Sequence, residues 1–287
     1  MARWSFAPDR SLPLDRPRFI AILNLTPDSF HDGGVLSTPE DALAAAERAV
    51  TEGADMLDLG GESTRPGAPA VPASEQIRRV VPAIRLIRQR MQVPISVDTT
   101  SAAVAAAALD SGADVVNDTS AGRDDPSMLV LIAQRRCGVV LMHRLRPPAQ
   151  DSYSDRYREA PRYNDVVADV RDFLAERAAA ATDAGIARGA IVIDPGLGFG
   201  KTVEQNLELI RRTRELKTLG VPILSALSRK SFVGRVQGLT ESTPAQRLPG
   251  TISLSIAHHL AGACLFRVHD VGAVAQALRA AAAAVPT

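Results

Sequence analysis

The chain has 287 residues, a net charge of +1 and 46% hydrophobic residues. Such a composition excludes an intrinsically disordered chain, and the near-neutral balance excludes a global field that would draw it to nucleic acid or to a membrane surface. No apolar run approaches the ~20 residues of a membrane span, and the first residues lack an apolar core of signal-peptide length, so a cytoplasmic location is expected.

Residues 1–18 read as a lead-in or cap, and residues 19–287 as one domain. Within it a short, apolar, β-rich run ends in polar or Gly-rich residues, and an Ala/Leu/Arg helix follows. The runs are 19–24, 55–59, 95–98, 114–117, 138–143, 190–194, 221–225 and 264–269. Short apolar runs suit parallel strands buried on both faces. Thr38-Pro39-Glu40-Asp41 is a helix start, with a capping Thr, Pro at the first position and acids in the first turn. Ser74-Glu75 opens another helix, and Gly53, Gly112, Gly185 and Gly220 stand as helix stops. Eight β/α units without a composition break predict a single-domain α/β fold, a (β/α)8 TIM barrel, which takes about 250 residues. A doubly wound open sheet is the runner-up, but Asn24-Leu25-Thr26-Pro27 after the first run is no dinucleotide turn. Two cysteines, Cys137 and Cys264, each beside an apolar run, read as buried free thiols. The polar excursion at 144–161 reads as a mobile loop or a partner surface.

In this fold the active site lies at the C-terminal strand ends. The ends here are Asn24, Asp58, Asp98, Asn117, His143, Asp194, Ser225 with Ser228-Arg229-Lys230, and Arg267 with His269. Any one of them suits a helix cap, and Asp98-Thr99-Thr100-Ser101 fits that reading well. A full ring of polar ends is harder to explain so. Asp98, Asn117 and Asp194 offer carboxylate and amide groups to a planar heterocycle with adjacent N–H donors. Ser228, Arg229, Lys230, Arg267 and His269 gather in the loops after strands 7 and 8, the usual phosphate site of the fold. Arg267 and His269 are two apart and point to one side. Residues 26–34 and 60–67 combine Gly, Pro and polar groups as active-site lids do. Gly196-Leu197-Gly198-Phe199-Gly200-Lys201-Thr202 lacks P-loop spacing, and Lys201 is expected to cap a turn or pair on the surface. His258 and His259 lie in an apolar helix and read as core or surface residues; His143 fits either a site or a core role.

The stretches ILNLTPDSFHDGG, DLGGESTRPGA, ISVDT, VNDTSAG, LMH, DPGLGFGKT, LSRKSFVG and RVHDV occur in that order, from about residue 19 to 279. Together they resemble the dihydropteroate synthase family. The resemblance implies condensation of 6-hydroxymethyl-7,8-dihydropterin diphosphate with p-aminobenzoate, giving 7,8-dihydropteroate and diphosphate. It implies that Asp98, Asn117, Asp194, Lys230 and Arg267 bind the pterin, with Asp98, Lys230 and Arg267 catalytic. It implies that Asn24, Arg267 and His269 bind diphosphate, with Mg²⁺ held by the diphosphate and Asn24. Thr64, Arg65, Pro66, Phe199 and Ser228, with the first lid, would form the p-aminobenzoate pocket, which sulfonamides would enter. The partners it implies are these small molecules and a second copy in a homodimer, with no nucleic acid or membrane. Three positions depart from the family pattern: Thr119 in place of Val or Ile, RLRPPAQ after His143 in place of Met-x-Gly, and Ser225-Ala226 in place of a Gly-containing pair. Three other readings compete. A methyltetrahydrofolate methyltransferase module needs neither Thr64-Arg65-Pro66 nor Ser228-Arg229-Lys230. A pterin-binding paralogue without turnover would keep the same residues. An aldolase-like barrel would want a Schiff-base lysine, for which Lys230 is the candidate.

Overall fold

A computed structural model describes residues 3–7, 9–26 and 36–284. Eight parallel strands form one ring: β3 (Arg18–Asn24), β4 (Met56–Gly60), β5 (Ile95–Asp98), β6 (Val115–Asp118), β7 (Gly138–Met142), β8 (Ile191–Asp194), β9 (Leu224–Ser225) and β10 (Leu265–Val268). They pair in the order β8-β7-β6-β5-β4-β3-β10-β9, and a parallel bridge between Ile193 and Ile223 joins the two ends. The barrel expected from the sequence is therefore the fold. β9 is shorter than the run 221–225, because Pro222 has no N–H for the ladder and contributes only its carbonyl, to Ile193.

Helices lie between the strands in sequence and pack outside the ring. The first, α1 (Pro39–Thr51), starts as its sequence dictates: Thr38 accepts from the Asp41 N–H at 3.1 Å, and the Asp41 carboxylate accepts from the Thr38 N–H at 3.0 Å. The second, α2 (Ala73–Arg90), begins one residue before Ser74. Alternate side chains of each strand point outward and build one apolar layer with the helices. The other set points inward.

The inward set is graded from bottom to top. At the bottom, Ile20, Met56, Val115, Val140, Val192, Leu224 and Leu265 form a second apolar cluster. An antiparallel hairpin, β1 (Arg3–Ala7) with β2 (Arg10–Pro13), presses Trp4, Phe6 and Leu12 onto it. Trp4 is fully buried, meets Phe6 edge-on and donates its Nε1–H to the Ala190 carbonyl at 2.9 Å. Gly138 makes room for the plug, since a Cβ there would lie 2.5 Å from the Phe6 Cβ. The plug closes the bottom to water, so ligands must enter from the strand C-termini.

Trp4→Ala is expected to cost about 3–5 kcal/mol, the usual range for a deleted buried aromatic. Trp4→Phe, which keeps a ring but loses the hydrogen bond to the Ala190 carbonyl, should cost about 0.5–1.5 kcal/mol. Urea unfolding followed by far-ultraviolet circular dichroism measures both, and a cost below about 1 kcal/mol for Trp4→Ala would contradict the plug.

Candidate active site

The top of the barrel is polar. Asn24 pairs in register with Gly60, Gly60 with Asp98, and Asp98 with Asn117. Parallel register neighbours face the same way, so Asn24, Asp98 and Asn117 form one row, with a gap at Gly60. A Cβ at Gly60 would stand 3.6 Å from the Asp98 Cβ and 3.8 Å from the Asn24 Oδ1. One step down β4, Asp58 points the same way.

Arg267, on β10, reaches across to this row. Its Nε donates to Asp58 Oδ2 at 2.6 Å and its Nη2 to Asp98 Oδ2 at 2.7 Å. Asn117 Nδ2 donates to the same Asp58 oxygen at 3.2 Å. Burial pushes the Asp98 carboxyl up to about 7 against the pull of Arg267, with the charges of Asp58, Glu62 and Asp118 adding to the rise. Burial alone would lower the Arg267 pKa, but Asp58 and Asp98 outweigh it and hold the guanidinium above its ordinary value. Asp58 Oδ1 and Ser96 Oγ are buried with no hydrogen-bond partner in the protein. Asp98 makes no cap: the Ala102 N–H goes to Asp125 Oδ2 at 2.8 Å. The helix-cap reading of Asp98 therefore falls away.

A second group comes from the loops after β8 and β9. Asp194, 2% exposed, accepts from the Gly196 N–H at 2.7 Å. Burial raises its pKa, against the Lys230 charge and the Gly196 N–H. The turn that follows requires glycine twice. Gly196 has φ +66° and a Cβ there would lie 1.9 Å from the His143 carbonyl oxygen; Gly198 has φ +83° and a Cβ there would lie 2.6 Å from Lys230 Cδ. Lys230 runs over that gap, donates to the Leu197 carbonyl and places Nζ 4.1 Å from the centre of the Phe199 ring. Burial brings the Lys230 amine down to about 7, opposed by Asp194.

The third group is Ser228 and His269. Ser228 Oγ lies 3.0 Å from His269 Nδ1 and accepts from the His269 N–H at 3.2 Å. Burial, then the charges of Arg229, Arg267, Arg65 and Lys230, hold the imidazole pKa well below its ordinary value. With the Ser228 hydroxyl donating to Nδ1, the neutral ring keeps Nε2–H as a donor. Arg229, which also lines the cavity, makes a bidentate pair with Asp270, at 2.8 and 2.6 Å.

Asn24, Thr64, Arg65, Pro66, Phe199, Ser228, Lys230, Arg267 and His269 all line one cavity of about 670 Å³ at the mouth of the barrel. Arg267 and His269 do face the same space, as their spacing predicts. Asp98, Asn117 and Asp194 stand behind that wall, 7%, 5% and 2% exposed, and Asp98 reaches it through Arg267. Of the first lid, Thr26 lines the cavity and residues 27–34 lie outside the described residues. The sequence noted Asp58 as a strand end but gave it no role. Its signal is an acid set inside the apolar run Met56-Leu57-Asp58-Leu59, a placement that demands a buried partner.

Further expectations meet the structure here. Lys201 does hold a turn, but from inside rather than on the surface: it is fully buried, and its Nζ donates to the Gly196 and Phe199 carbonyls at 3.0 and 2.8 Å and lies 3.0 Å from His143 Nδ1. His143 is 4% exposed and packs edge-on to Phe173, so its place is beneath the loop rather than in the cavity wall. The polar excursion at 144–161 is a strap across the loops. The Gly67 N–H donates to the Pro148 carbonyl at 2.9 Å, Asp151 Oδ2 accepts from the Gly200 N–H at 2.8 Å, and Tyr153, Asp155 and Arg156 join the cavity wall. His258 is a core residue, as expected, with Nδ1 2.9 Å from Ser225 Oγ. Cys137 is a buried free thiol and Cys264 a partly buried one.

Burial brings the Lys201 amine down to about 7, with the Asp194 charge opposing and the Lys230 charge adding. The folded state thus releases a proton near pH 7 that the unfolded chain keeps to about pH 10.4. Between those values the unfolded state binds more protons, so this group's contribution to stability rises with pH. Lys201→Met removes that rise. Its Tm should therefore fall progressively behind that of the natural protein from pH 7 to pH 9.5; a gap that stays constant or narrows would contradict a burdened amine at this position.

The chain matches the pterin binding enzyme family over residues 20–269. It is 41% identical to the dihydropteroate synthase of Synechocystis sp. over 267 residues, 93% of this chain and 89% of that protein. It superposes with a TM-score of 0.88 on the Xanthomonas albilineans dihydropteroate synthase with 4-aminobenzoic acid, at 44% identity and covering 99% and 100% of the two chains. With the enzyme of the same organism in complex with 7,8-dihydropteroate the TM-score is 0.84, at 40% identity and full coverage of both chains.

Proposed function

The chain belongs to the dihydropteroate synthase family of pterin-binding enzymes, and from that premise we infer that it joins 6-hydroxymethyl-7,8-dihydropterin diphosphate to p-aminobenzoate, releasing 7,8-dihydropteroate and diphosphate. One observation carries the reading: an acid and amide row, roofed by Arg267, lies behind a cavity whose wall carries Lys230, Asn24 and His269. That arrangement suits a flat N–H-rich ring below and an anionic leaving group above.

In this reading Asp98, Asn117 and Asp194 take the pterin edge, and Lys230 meets the ring from the side. The ring N–H groups replace Arg267 as partners of Asp98, which frees the guanidinium for the ring face and the diphosphate. His269 Nε2–H and the Asn24 amide complete the diphosphate contacts. Thr64, Arg65, Pro66, Phe199 and Ser228 hold the arylamine. The bond between the pterin methylene carbon and the diphosphate oxygen breaks, with its electron pair leaving on diphosphate. The positive charge left on the pterin is stabilised by ionised Asp98. The amine nitrogen then bonds the methylene carbon and loses a proton. Orientation by the two halves of the site supplies much of the rate, and no protein nucleophile is needed.

Among the described residues no group of three His, Cys, Asp or Glu side chains is placed to hold a metal. The Asn24 carbonyl at the cavity wall fits Mg²⁺ of the kind held by substrate phosphates plus one protein oxygen. Bound there, Mg²⁺ would offset the charge of the departing diphosphate. Among the described residues no helix is long and apolar enough to cross a membrane. A cytoplasmic homodimer inhibited by sulfonamides belongs to the same proposal, with light scattering and competition against p-aminobenzoate as its checks.

Purified protein given the pterin diphosphate, p-aminobenzoate and Mg²⁺ should form dihydropteroate and diphosphate in equal amounts, dependent on all three. Pterin binding without turnover would favour a non-catalytic paralogue. Within the site, Asp194→Ala should lose about tenfold to a hundredfold in pterin diphosphate affinity, the worth of a charged hydrogen bond. Arg65→Ala should leave that affinity nearly unchanged and raise KM for p-aminobenzoate. Calorimetry and steady-state kinetics separate the two, and equal loss of both ligands in both variants would break the partition.

A further inference from the structure

The loop from Gly196 to Gly200 carries Phe199 and supports Lys230, yet it belongs to neither strand nor helix. Two buried side chains hold it from opposite sides. From beneath the loop, Lys201 Nζ donates to the Gly196 and Phe199 carbonyls. From the strap, Asp151 Oδ2 accepts from the Gly200 N–H at 2.8 Å. Asp151 is 8% exposed, and its other oxygen accepts from the Ser152 N–H at 2.9 Å and from the Tyr157 hydroxyl. Every partner of this carboxylate is a donor, so an amide in its place would set an NH2 against N–H or O–H. The strap is in turn fixed at both ends of its span. Pro148 takes the Gly67 N–H, one residue beyond Thr64-Arg65-Pro66, and Ser154 Oγ accepts from Asn206 Nδ2 at 3.1 Å, while Asn206 Oδ1 takes the Gly198 N–H at 2.6 Å.

The strap therefore joins the two loops assigned to the arylamine, one bearing Thr64, Arg65 and Pro66 and the other bearing Phe199. The pterin-facing Asp98 and Asn117 hang on rigid strands and have no contact with it among their hydrogen bonds, whereas Asp194 and Lys230 hydrogen-bond to the Phe199 loop at its Gly196 and Leu197 end. We propose that Asp151 and Lys201 are positioning residues that clamp the Phe199 loop between them and so set the geometry of the arylamine subsite, neither side chain being part of the cavity wall. The role rests on the function proposed above, but it makes a separate claim: damage to the clamp falls more heavily on the arylamine than on the pterin.

Steady-state kinetics with both substrates varied, together with calorimetry of pterin diphosphate, test this on the full chain. Asp151→Asn and Lys201→Met should each raise KM for p-aminobenzoate about tenfold or more, with a several-fold smaller change in the pterin diphosphate Kd, felt through Asp194 and Lys230. A merely structural role would lower the folded fraction and kcat without that split. Should either variant fail to fold, Tyr157→Phe removes one donor to Asp151 at a position outside the reaction, and should move KM for p-aminobenzoate in the same direction by about twofold or threefold. Folded variants with an unchanged arylamine KM, or with equal loss for both substrates, would overturn the clamp. A natural protein that makes no product would overturn the reaction itself, and the role assigned to the clamp with it.

Discussion

The Arg267 guanidinium is the group on which the top of the barrel depends. It neutralises Asp58 and Asp98 at once, and through Asp58 it also organises the Asn117 amide. Two carboxylates in a water-poor interior are costly unless they are paired, and removing one partner of such a set typically costs about 3–5 kcal/mol. The same pair is the reason Asp98 sits near neutrality in its titration, raised by burial and by Asp58 while Arg267 pulls it back. In the proposed function, an incoming N–H-rich ring takes over these carboxylate partners and Arg267 turns from carboxylate to ligand.

The rest of the barrel makes that arrangement possible. The Trp4 hairpin seals the lower end with apolar side chains, so the polar layer faces one opening only. Gly60 leaves a gap in the row of strand ends, and Gly196 and Gly198 let the sixth βα loop lie flat against His143 and Lys230. In the proposed function, rigid strands carry the groups that grip the pterin edge, and loops tied by Asp151, Lys201 and Asn206 carry the groups for the second substrate. The division matches the chemistry, in which one substrate must be held through bond breaking while the other only has to be brought close.

Much of this was legible in the sequence, because a barrel repeats one local rule. Short apolar runs ending in Asn24, Asp98, Asn117 and Asp194 fixed both the strands and the face at which polar groups collect. The capping box at Thr38 and Asp41 follows from neighbours three residues apart. What escaped were contacts between distant segments. Lys201 stands in a polar stretch and gives no local sign that the chain folds over it; its burial depends on His143, 58 residues away. Asp58 was visible as an acid in an apolar strand, but its partner, Arg267, lies 209 residues further on. The strap at 144–161 looked like a loose polar loop because each of its anchors, at Gly67, Gly200 and Asn206, lies in another unit of the barrel.

The central claim is that Arg267 and Asp98 are energetically coupled rather than merely adjacent. A double-mutant cycle with Arg267→Gln and Asp98→Asn, read by urea unfolding at pH 8, measures that coupling directly. The account predicts that the two single changes do not add, with an interaction energy of about 1.5–3 kcal/mol. Additivity within about 0.5 kcal/mol would show that the bridge holds nothing together, and would contradict the account.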